Sequence, residues 1–218
     1  MSFETNEAFY DRIAESYDAI AHSSERESTE RGLTMLDAKI GERIFELGFG
    51  TGHALVALAR SVGGEGRVDG LDVSSGMKKV SAHRVEREGF EDHVSLRVGG
   101  APPLGYEDDV FDATFLSFTL ELFPPDEIGK VVEELYRVTK PGGRCVVVAM
   151  AKPRSESEDT TLEKIYVWMH RHFPHIVDCH PIEVEKTLEE GGFQIEQAEH
   201  TDIWSLPVAI VRASKRAG

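Results

Sequence analysis

The sequence predicts an α/β protein with helical cap elements and a doubly wound, mostly parallel sheet of seven strands. Short apolar runs alternate with amphipathic segments between residues 43 and 150, which is typical of parallel strands joined by crossover helices. Residues 110–118 form an almost continuous apolar run, as a strand covered on both faces requires. A glycine-rich turn directly follows the first apolar run. These observations together predict helices on both faces of the sheet.

Each strand and helix is predicted from the spacing of its apolar residues. We expect strands at residues 44–47, 67–71, 94–98, 110–118, 145–150, 193–198 and 208–213. We expect helices at residues 3–20, 53–61, 75–88, 126–139 and 182–191. Ser74 or Ser75 is able to cap the third helix, and the fourth should stop at Pro141-Gly142-Gly143. Residues 22–30 hold too few apolar side chains to pack on their own and predict a mobile loop or a solvated helix.

No internal repeat and no linker divides the sequence, so we expect a single domain over residues 1–218. Within it, we expect an N-terminal helical lid at residues 1–30, a ligand-binding core at 40–151, a cap insertion at 152–181 and a C-terminal helix with strands at 182–218. The lid and the cap mix aromatic residues with polar stretches, as a movable cover over a site would. For any one of those aromatic residues, core packing is the alternative.

The net charge of the chain argues against some classes of partner. Lysine and arginine number 24 against 39 aspartate and glutamate residues, which gives a formal net charge of −15. A surface this negative repels phosphate backbones and anionic lipids. We therefore expect no nucleic-acid partner and no stable insertion into a membrane. A neutral or cationic small molecule remains compatible with this charge.

Cysteine content and the first residues of the sequence predict a cytoplasmic location. Only Cys145 and Cys179 occur, and two cysteines in such different surroundings do not suggest a disulfide framework. No apolar run approaches the roughly 20 residues needed to cross a bilayer. The polar first residues, which include Glu4 and Glu7, lack the chemistry of a signal peptide.

The strongest functional signal is the turn after the first predicted strand. Glu46 precedes three glycines at alternate positions, Gly48, Gly50 and Gly52, just before a predicted helix. Glycine permits a tight turn and lets the backbone approach a ligand closely, although connecting loops also use it. The G-x-G-x-G spacing differs from the G-x-G-x-x-G expected for a pyrophosphate. Asp72 ends the second strand, where a doubly wound fold places an acid against ribose hydroxyls; a helix N-terminal acid is the alternative.

Four blocks, in order along the chain, resemble one enzyme family. They are residues 10–14 with Tyr17-Asp18, the glycine turn at 46–52, residues 111–118 and residues 137–144. In these blocks the chain resembles the class I S-adenosylmethionine-dependent methyltransferases, within the group that includes the ubiquinone and menaquinone biosynthesis enzymes. The resemblance implies a Rossmann-like methyltransferase fold, S-adenosylmethionine as cofactor, and methyl transfer by in-line displacement. We expect the acceptor to be a small, largely apolar metabolite.

By position, the resemblance assigns the methionine end of the cofactor to the glycine turn. Gly48, Gly50 and Thr51 should touch the methionine portion. Glu46 and Gly52 belong to the same cofactor-binding turn. These assignments follow from the match to the family's motif.

The other cofactor contacts implied by the resemblance follow the second, third and fourth strands. Asp72 should hold both ribose hydroxyls, and Ser117 should lie beside the cofactor. Gly100 and Ala101 should border the adenine. Gly100 stands where the family usually has Asp or Asn, which leaves backbone contacts to the adenine amine, and Phe49 replaces a smaller residue in the turn.

The implied reaction does not depend on a protein nucleophile, because positively charged sulfur already activates the methyl group. The protein needs mainly to align the acceptor with that methyl group and to exclude water from the site. A carbon or weakly acidic oxygen acceptor would also need a base. The sequence identifies no catalytic residue. The candidates for contact with the acceptor are Tyr10, Tyr17, Glu121, Trp168 and His172. For the aromatic residues among them, packing in the core is the alternative interpretation. For Glu121, a solvated acid in a loop is the alternative.

A group of histidines in the predicted cap raises the question of a metal. His170, His172, His175 and His180 lie near Cys179, and zinc uses such ligands. No second Cys or His pair is spaced to complete a closed site. We therefore expect no metal here, and instead a cap loop or histidines that face the acceptor.

Two other functions stay open at the level of the sequence. A nicotinamide-dependent oxidoreductase also uses a glycine-rich turn and an acid after the second strand, although the G-x-G-x-G spacing and the Pro-Gly-Gly turn count against it. A non-catalytic S-adenosylmethionine-binding protein would keep the cofactor residues and lose the acceptor cavity. A homodimer is compatible with the sequence in each case.

Overall fold

The computed structural model describes residues 23–152, 180–203 and 206–218. Its strands are β1 (Arg43–Leu47), β2 (Arg67–Asp72), β3 (Val94–Val98), β4 (Phe111–Ser117), β5 (Thr139–Met150), β6 (Gln194–Ile203) and β7 (Leu206–Ser214). Its helices are α1 (Ser23–Leu36), α2 (His53–Val62), α3 (Ser75–Arg87), α4 (Pro125–Val138) and α5 (Val184–Glu190), and a 3-10 turn follows β4 at Leu120–Leu122. Within these ranges, no helix combines the length and the apolar composition needed to span a bilayer.

The strands form one sheet in the order β3-β2-β1-β4-β5-β7-β6. β1 pairs in parallel with both β2 and β4, and β7 runs antiparallel to both of its neighbours, β5 and β6. From β1 the chain moves to one side as far as β3, and then returns to the other side of β1 as β4. The predicted doubly wound, mostly parallel sheet of seven strands is confirmed, and its order reverses between β1 and β4.

The central strands are buried on both faces of the sheet. Neighbouring residues of β1 enter opposite cores, Ile44 on the face covered by α1 and α2 and Phe45 on the face covered by α4. The same alternation places Phe115 and Leu116 of β4 in different cores, with both side chains fully buried. The double burial predicted from the apolar run is therefore confirmed within β4.

Helices α2 to α5 begin and end close to their predicted limits. The apolar residues of α4, among them Ile128, Val131 and Leu135, pack on the sheet with the spacing of an amphipathic helix. Ser74 caps α3, as predicted, because its Oγ accepts a hydrogen bond from the Met77 N–H at 3.0 Å. The helix predicted at the N-terminus of the chain lies outside the described residues.

The N-terminal half of α1 corrects one expectation. Within the stretch predicted as a mobile loop or a solvated helix, the structure has a helix from Ser23 onward, and Glu25 and Ser28 are buried in it. Met35 and Leu36, in the last turn, pack in the core against β5 and β7. The apolar end of α1 thus holds the polar end against the protein, which local composition does not predict.

The fifth strand begins at Thr139 rather than at residue 145, where it was predicted. Phe111 pairs with Thr139 and Ala113 pairs with Arg144, so the residues between them form a bulge in β5. Gly142 lies in this bulge with φ of 77°, and its N–H donates to the carbonyl of Lys215. The Pro-Gly-Gly segment does follow the end of α4, but it belongs to the strand and not to a separate turn.

Candidate functional site

A cavity of about 720 Å³ opens at the carboxyl ends of β1, β2 and β4, where the strand order reverses. Doubly wound sheets bind their ligands in this crevice. Its walls come from the turn after β1, the end of β2, the segment after β3, the end of β4 and one face of α1. The volume is typical of a small-molecule site. Residues that are far apart in the sequence therefore line the same cavity.

The predicted glycine turn forms one wall of this cavity. Gly48, Gly50 and Gly52 all have positive φ, at 75°, 48° and 82°. A Cβ on Gly48 would collide with Thr119, and one on Gly52 would press against Ser81, so both glycines allow close packing of neighbouring elements. A Cβ on Gly50 would meet nothing within 4 Å. Since Gly50 lines the cavity, the space beside it is open to a ligand.

Asp72 ends β2 and is buried beside the glycine turn. Its Oδ2 accepts a hydrogen bond from the Gly50 N–H at 2.9 Å, and its Oδ1 accepts one from the Ser74 N–H at 2.9 Å. The carboxylate thus joins the turn to the start of α3 while it also lines the cavity. Asp72 thus lies at the N-terminus of α3, as the alternative interpretation predicted, and it also lines the cavity.

Glu46 is a buried acid in β1 that lines the same cavity. Its side chain is 2% exposed, and its Oε2 has no hydrogen-bond partner among the described residues. Burial, together with the nearby charge of Asp72, raises the pKa of Glu46 well above its usual value. A buried carboxyl oxygen without a partner is costly. A cationic or hydrogen-donating ligand group would therefore be stabilised beside it.

The other predicted cofactor residues lie around the same cavity. Thr51, Ala101 and Ser117 line it. Gly99 lines it as well, which sequence reasoning did not identify because a glycine outside a motif carries no signal. Gly100 lies between Gly99 and Ala101 and is exposed. The structure thus brings most of the predicted positions to one cavity, and on the side of Gly100 it is the neighbours Gly99 and Ala101 that line it.

Ser117 connects the end of β4 to α1. Its Oγ lies 2.7 Å from Oγ1 of Thr29, a hydrogen-bond distance. The Thr29 hydroxyl also donates to the carbonyl of Glu25, one turn earlier in the helix, at 2.9 Å. These contacts hold the first turns of α1 over the end of β4.

Glu121, one of the acceptor-side candidates, is buried and not a solvated loop acid. It lies in the 3-10 turn after β4 with 1% of its surface exposed, and its Oε1 accepts a hydrogen bond from the Met150 N–H at 2.9 Å. Burial raises the pKa of Glu121 to about 7 against the lowering effect of that hydrogen bond, and the charge of Glu25 adds to the rise.

Sequence reasoning missed Glu25, which lines the cavity from α1. Its side chain is 9% exposed, and burial raises the pKa of this carboxyl to about 7. A single acid in a polar segment has no periodic signal that could have identified it. Its burial depends on where α1 packs.

Four of the acceptor-side candidates, Tyr10, Tyr17, Trp168 and His172, lie outside the described residues. So do three of the four histidines considered for a metal, together with Cys179. Among the side chains that the structure describes, no group of three or more His, Cys, Asp or Glu residues is placed to hold a metal ion.

The chemistry of the cavity fits the cofactor that the family resemblance implies. S-adenosylmethionine carries a sulfonium, an ammonium group and a ribose diol. Glu46 has an unpaired carboxyl oxygen for a cationic or donor group, and Asp72 presents a carboxylate at the end of β2. Gly50 leaves open the space that a side chain would fill. These residues suit a cation and hydrogen-bond donors better than a phosphate.

Known proteins resemble this chain in sequence. Residues 3–178 match the model of the ubiE/COQ5 methyltransferase family. Over 151 residues the chain is 35% identical to a demethylmenaquinone methyltransferase of Geobacillus kaustophilus, covering 69% of this chain and 62% of that protein. Over 150 residues it is 31% identical to the demethylmenaquinone methyltransferase of Symbiobacterium thermophilum, covering 67% of this chain and 59% of that protein. The chain thus spans about three fifths of the length of these curated relatives.

The fold has been seen before in a solved structure. The structure of a SAM dependent methyltransferase from Aquifex aeolicus matches with a TM-score of 0.67 and 21% identity, over 92% of this chain and 98% of that chain. The predicted Rossmann-like methyltransferase fold is therefore confirmed. The family match confirms the predicted resemblance to the S-adenosylmethionine-dependent methyltransferases of the ubiquinone and menaquinone group. The chain belongs to the ubiE/COQ5 methyltransferase family.

Proposed function

We propose that this protein transfers a methyl group from S-adenosylmethionine to a small, apolar acceptor. The observation that carries the proposal is the cavity at the reversal of the strand order, which gathers the glycine turn, Asp72, Ala101 and Ser117. Membership of the ubiE/COQ5 methyltransferase family supports this reaction. The names of the two demethylmenaquinone methyltransferases support a quinone-like acceptor.

The methionine end of the cofactor would lie against the turn after β1. Gly48, Gly50 and Thr51 would contact it, and at Gly50 the missing Cβ leaves space for the ligand beside the backbone. The carboxyl group of Glu46 would face a positively charged group of the cofactor. Gly52 would support the turn from behind through its close packing on Ser81.

The nucleoside end would extend along the carboxyl ends of β2 and β3. Asp72, which accepts hydrogen bonds from the Gly50 and Ser74 N–H groups, would also accept hydrogen bonds from the ribose hydroxyls. Ala101 and the backbone at Gly100 would border the adenine. Ser117 would lie beside the cofactor at the end of β4.

When bound, the cofactor supplies a methyl group that its positive sulfur has already activated. The chain then has to align the acceptor with that methyl group and keep water away from it. The wall near α1 and the end of β4 is rich in apolar side chains, which favours an apolar acceptor there. These side chains are Leu33, Phe118, Leu122 and Phe123.

The lid and the cap are part of the proposal. In the lid, Glu25 and Thr29 line the cavity from α1, which supports a covering role for residues 1–30. Residues 1–22 and 153–179 lie outside the described residues, so the domain division stays a prediction. A homodimer, a cytoplasmic location and the lack of a nucleic-acid partner also stay predictions from the sequence.

Calorimetry and a methyl-transfer assay together test the proposed function. We expect S-adenosylmethionine and S-adenosylhomocysteine to bind, and NADH not to bind. We expect transfer of a radiolabelled methyl group from S-adenosylmethionine to demethylmenaquinone, offered in its oxidised and its chemically reduced form. NADH binding in place of S-adenosylmethionine would favour the oxidoreductase. Cofactor binding without transfer to demethylmenaquinone or to any acceptor in a metabolite extract would favour a non-catalytic binding protein.

A further inference from the structure

Glu25 is a buried acid in the cavity wall, and none of the described cationic side chains forms an ion pair with it. It is 9% exposed and lines the cavity, and within the described residues its carboxylate has neither a hydrogen bond nor an ion pair. Its neighbour Arg26 pairs with Glu30 instead, at 3.0 Å, through two side chains that are mostly exposed. An acid in this position is costly unless a ligand or a proton compensates for it.

Glu121 lies close enough for the charge of Glu25 to act on it. Glu121 Oε1 accepts the Met150 N–H, and its Oε2 has no partner among the described residues. The turn that carries Glu121 is held further by its carbonyl, which accepts a hydrogen bond from the His180 N–H at 2.8 Å. Glu121 lies behind the residues that line the cavity, and the charge of Glu25 disfavours its ionisation, so the ionisation of the two carboxyls is coupled.

The position of Glu25 assigns it to the acceptor side of the cavity. Its helix is held over the end of β4 by the contact between Thr29 and Ser117, at 2.7 Å. The acids of the cofactor side, Glu46 and Asp72, lie instead at β1 and at the end of β2, beside the glycine turn. Glu25 is therefore the acid that an acceptor bound near α1 would meet.

Arg26 and Glu30 face the cavity from α1 itself, and the remaining charged groups belong to other walls. From the strands and from α2 and α3 they are Glu46, His53, Arg60, Asp72, Arg84 and Glu88. Arg60 pairs with Glu88 at 3.2 Å, and Arg84 contacts the His53 ring at 3.1 Å and donates to the Thr51 carbonyl at 2.8 Å. The two arginines are thus engaged with partners other than Glu25.

We propose that Glu25 takes the proton that the acceptor gives up during methyl transfer, and that Glu121 is its positioning partner. This inference rests on the function proposed above. The acceptor's X–H bond breaks, where X is carbon or oxygen, and its electron pair forms the new X–CH₃ bond. The S–CH₃ bond breaks with its electron pair left on sulfur, and the proton goes to a carboxylate oxygen of Glu25.

Charge is conserved, because a positive sulfur and a negative carboxylate both become neutral. A poorly hydrated cavity favours such a loss of opposite charges. Burial also raises the pKa of Glu25 and of Glu121 to about 7, which suits a base that works near neutral pH. Acceptors with a weakly acidic O–H or C–H bond are therefore the expected substrates.

The first test needs neither cofactor nor acceptor. In the ligand-free full-length protein, infrared difference spectra between acidic and alkaline pH should show a carboxyl C=O band that titrates near neutrality. Glu25→Gln should remove the part of that titration that Glu25 contributes and leave the part that Glu121 contributes. Glu121→Gln should leave the Glu25 part and move it to lower pH, because the neighbouring carboxyl is lost. Glu27→Gln is the matched control, since Glu27 is an exposed acid on the same helix, and it should change nothing.

The second test measures turnover with S-adenosylmethionine and demethylmenaquinone. Glu25→Gln should lower kcat by about 100-fold, which is the lower end of what a general base contributes. Its affinity for S-adenosylmethionine, measured by calorimetry, should be unchanged. Glu25→Asp should restore part of the rate. Glu121→Gln should move the midpoint of the pH–rate profile to lower pH, an effect that a merely structural role would not produce.

The two tests separate failure of this inference from failure of the proposed function. A Glu25→Gln variant that binds the cofactor and keeps full kcat would overturn the inference and leave the methyltransferase function intact. The inference is equally overturned if the neutral titration is missing in the unmodified protein or is unchanged in Glu25→Gln. A protein that binds no S-adenosylmethionine would overturn the proposed function, and this inference with it.

Discussion

The Asp72 carboxylate accepts a hydrogen bond from the Gly50 N–H at 2.9 Å, which joins the end of β2 to the turn after β1. Both residues line the cavity. The Ser74 N–H, at the start of α3, bonds the other oxygen of the same carboxylate. Asp72 therefore shapes the turn that a ligand would contact, and it presents its own charge to that ligand.

Replacing Asp72 by alanine should weaken the binding of S-adenosylmethionine and S-adenosylhomocysteine. We expect a loss of about 1.5–3 kcal/mol, or about 10- to 150-fold, as for hydrogen bonds to a charged group. The variant should also melt at a lower temperature, because the Gly50 and Ser74 N–H groups lose their acceptor. Calorimetry and thermal unfolding measure the two effects separately.

Asp69→Ala is the matched control for this prediction. Asp69 is a largely buried acid on the same strand, but it pairs with Arg43 at 2.8 Å and lies outside the cavity wall. Its loss should lower stability without a change in affinity. Unchanged affinity in Asp72→Ala would show that Asp72 does not bind the ribose.

Replacing Gly50 by valine should abolish measurable cofactor binding. The left-handed conformation at φ of 48° costs a residue with a Cβ about 1–2 kcal/mol in stability, and the valine methyl groups would occupy the open space of the cavity. Gly89→Val is the control, because Gly89 has φ of 77°, is exposed and also has open space around its Cβ position. Both variants should lose stability, and only Gly50→Val should lose binding. Equal affinities in the two variants would contradict the proposed cofactor site.

Replacing Thr29 by valine should loosen the first turns of α1. The change keeps the shape of the side chain and removes the contact with Ser117, at a cost of about 1 kcal/mol. Amide hydrogen exchange in those turns should accelerate, and methyl transfer should slow while the cofactor still binds. Thr34→Val should do neither, since Thr34 is exposed and its hydroxyl bonds the Glu30 carbonyl within the helix. Unaltered exchange in Thr29→Val would argue against the role of this contact in holding α1.

The stability of the ligand-free protein should fall as pH rises through neutrality. Burial raises the pKa of Glu25 and of Glu121 to about 7 in the folded protein, from 4.5. Groups with a raised pKa contribute stability that is complete below the unfolded value and is lost as pH rises through the folded value. Between about pH 5 and about pH 8 we therefore expect the free energy of unfolding to fall by a few kcal/mol.

Urea unfolding at a series of pH values measures this dependence. Glu121→Gln should make the profile shallower, because only Glu25 of the two acids still loses a proton in this range. Glu134 has the opposite effect on the pH dependence of the free energy of unfolding, because its hydrogen bond with Arg137 lowers the pKa of its carboxyl. Its contribution to stability is lost as pH falls, at lower pH than the effect of Glu25 and Glu121. A profile that is flat above about pH 5 in the unmodified protein would contradict the burial of these two acids as protonatable groups.

Local chemistry was enough to predict the sheet, and the family resemblance added the residues of the predicted cofactor side. The alternation that places Ile44 and Phe45 in opposite cores is a period of two residues, which any strand shares whatever lies around it. The positive φ of Gly48 and Gly50 can likewise be predicted from the residue type, because glycine adopts this conformation readily. Because parallel strands end at one edge of the sheet, residues at the ends of β2 and β4, Asp72 and Ser117, line the same cavity.

Only the tertiary structure decided which polar side chains are buried. Residues near Glu25 predicted a loop or a solvated helix, and Glu121 was compatible with a solvated loop acid, yet both are buried. Their burial comes from contacts made far away in the chain, between the apolar end of α1 and β5, and between Glu121 and Met150. The spacing of apolar residues predicts which face of a helix or strand is apolar. The burial of an acidic side chain and its pKa depend instead on the elements that pack over it. For that reason the fold could be predicted from the sequence, whereas the burial of Glu25 and Glu121 follows from the tertiary contacts of the folded chain.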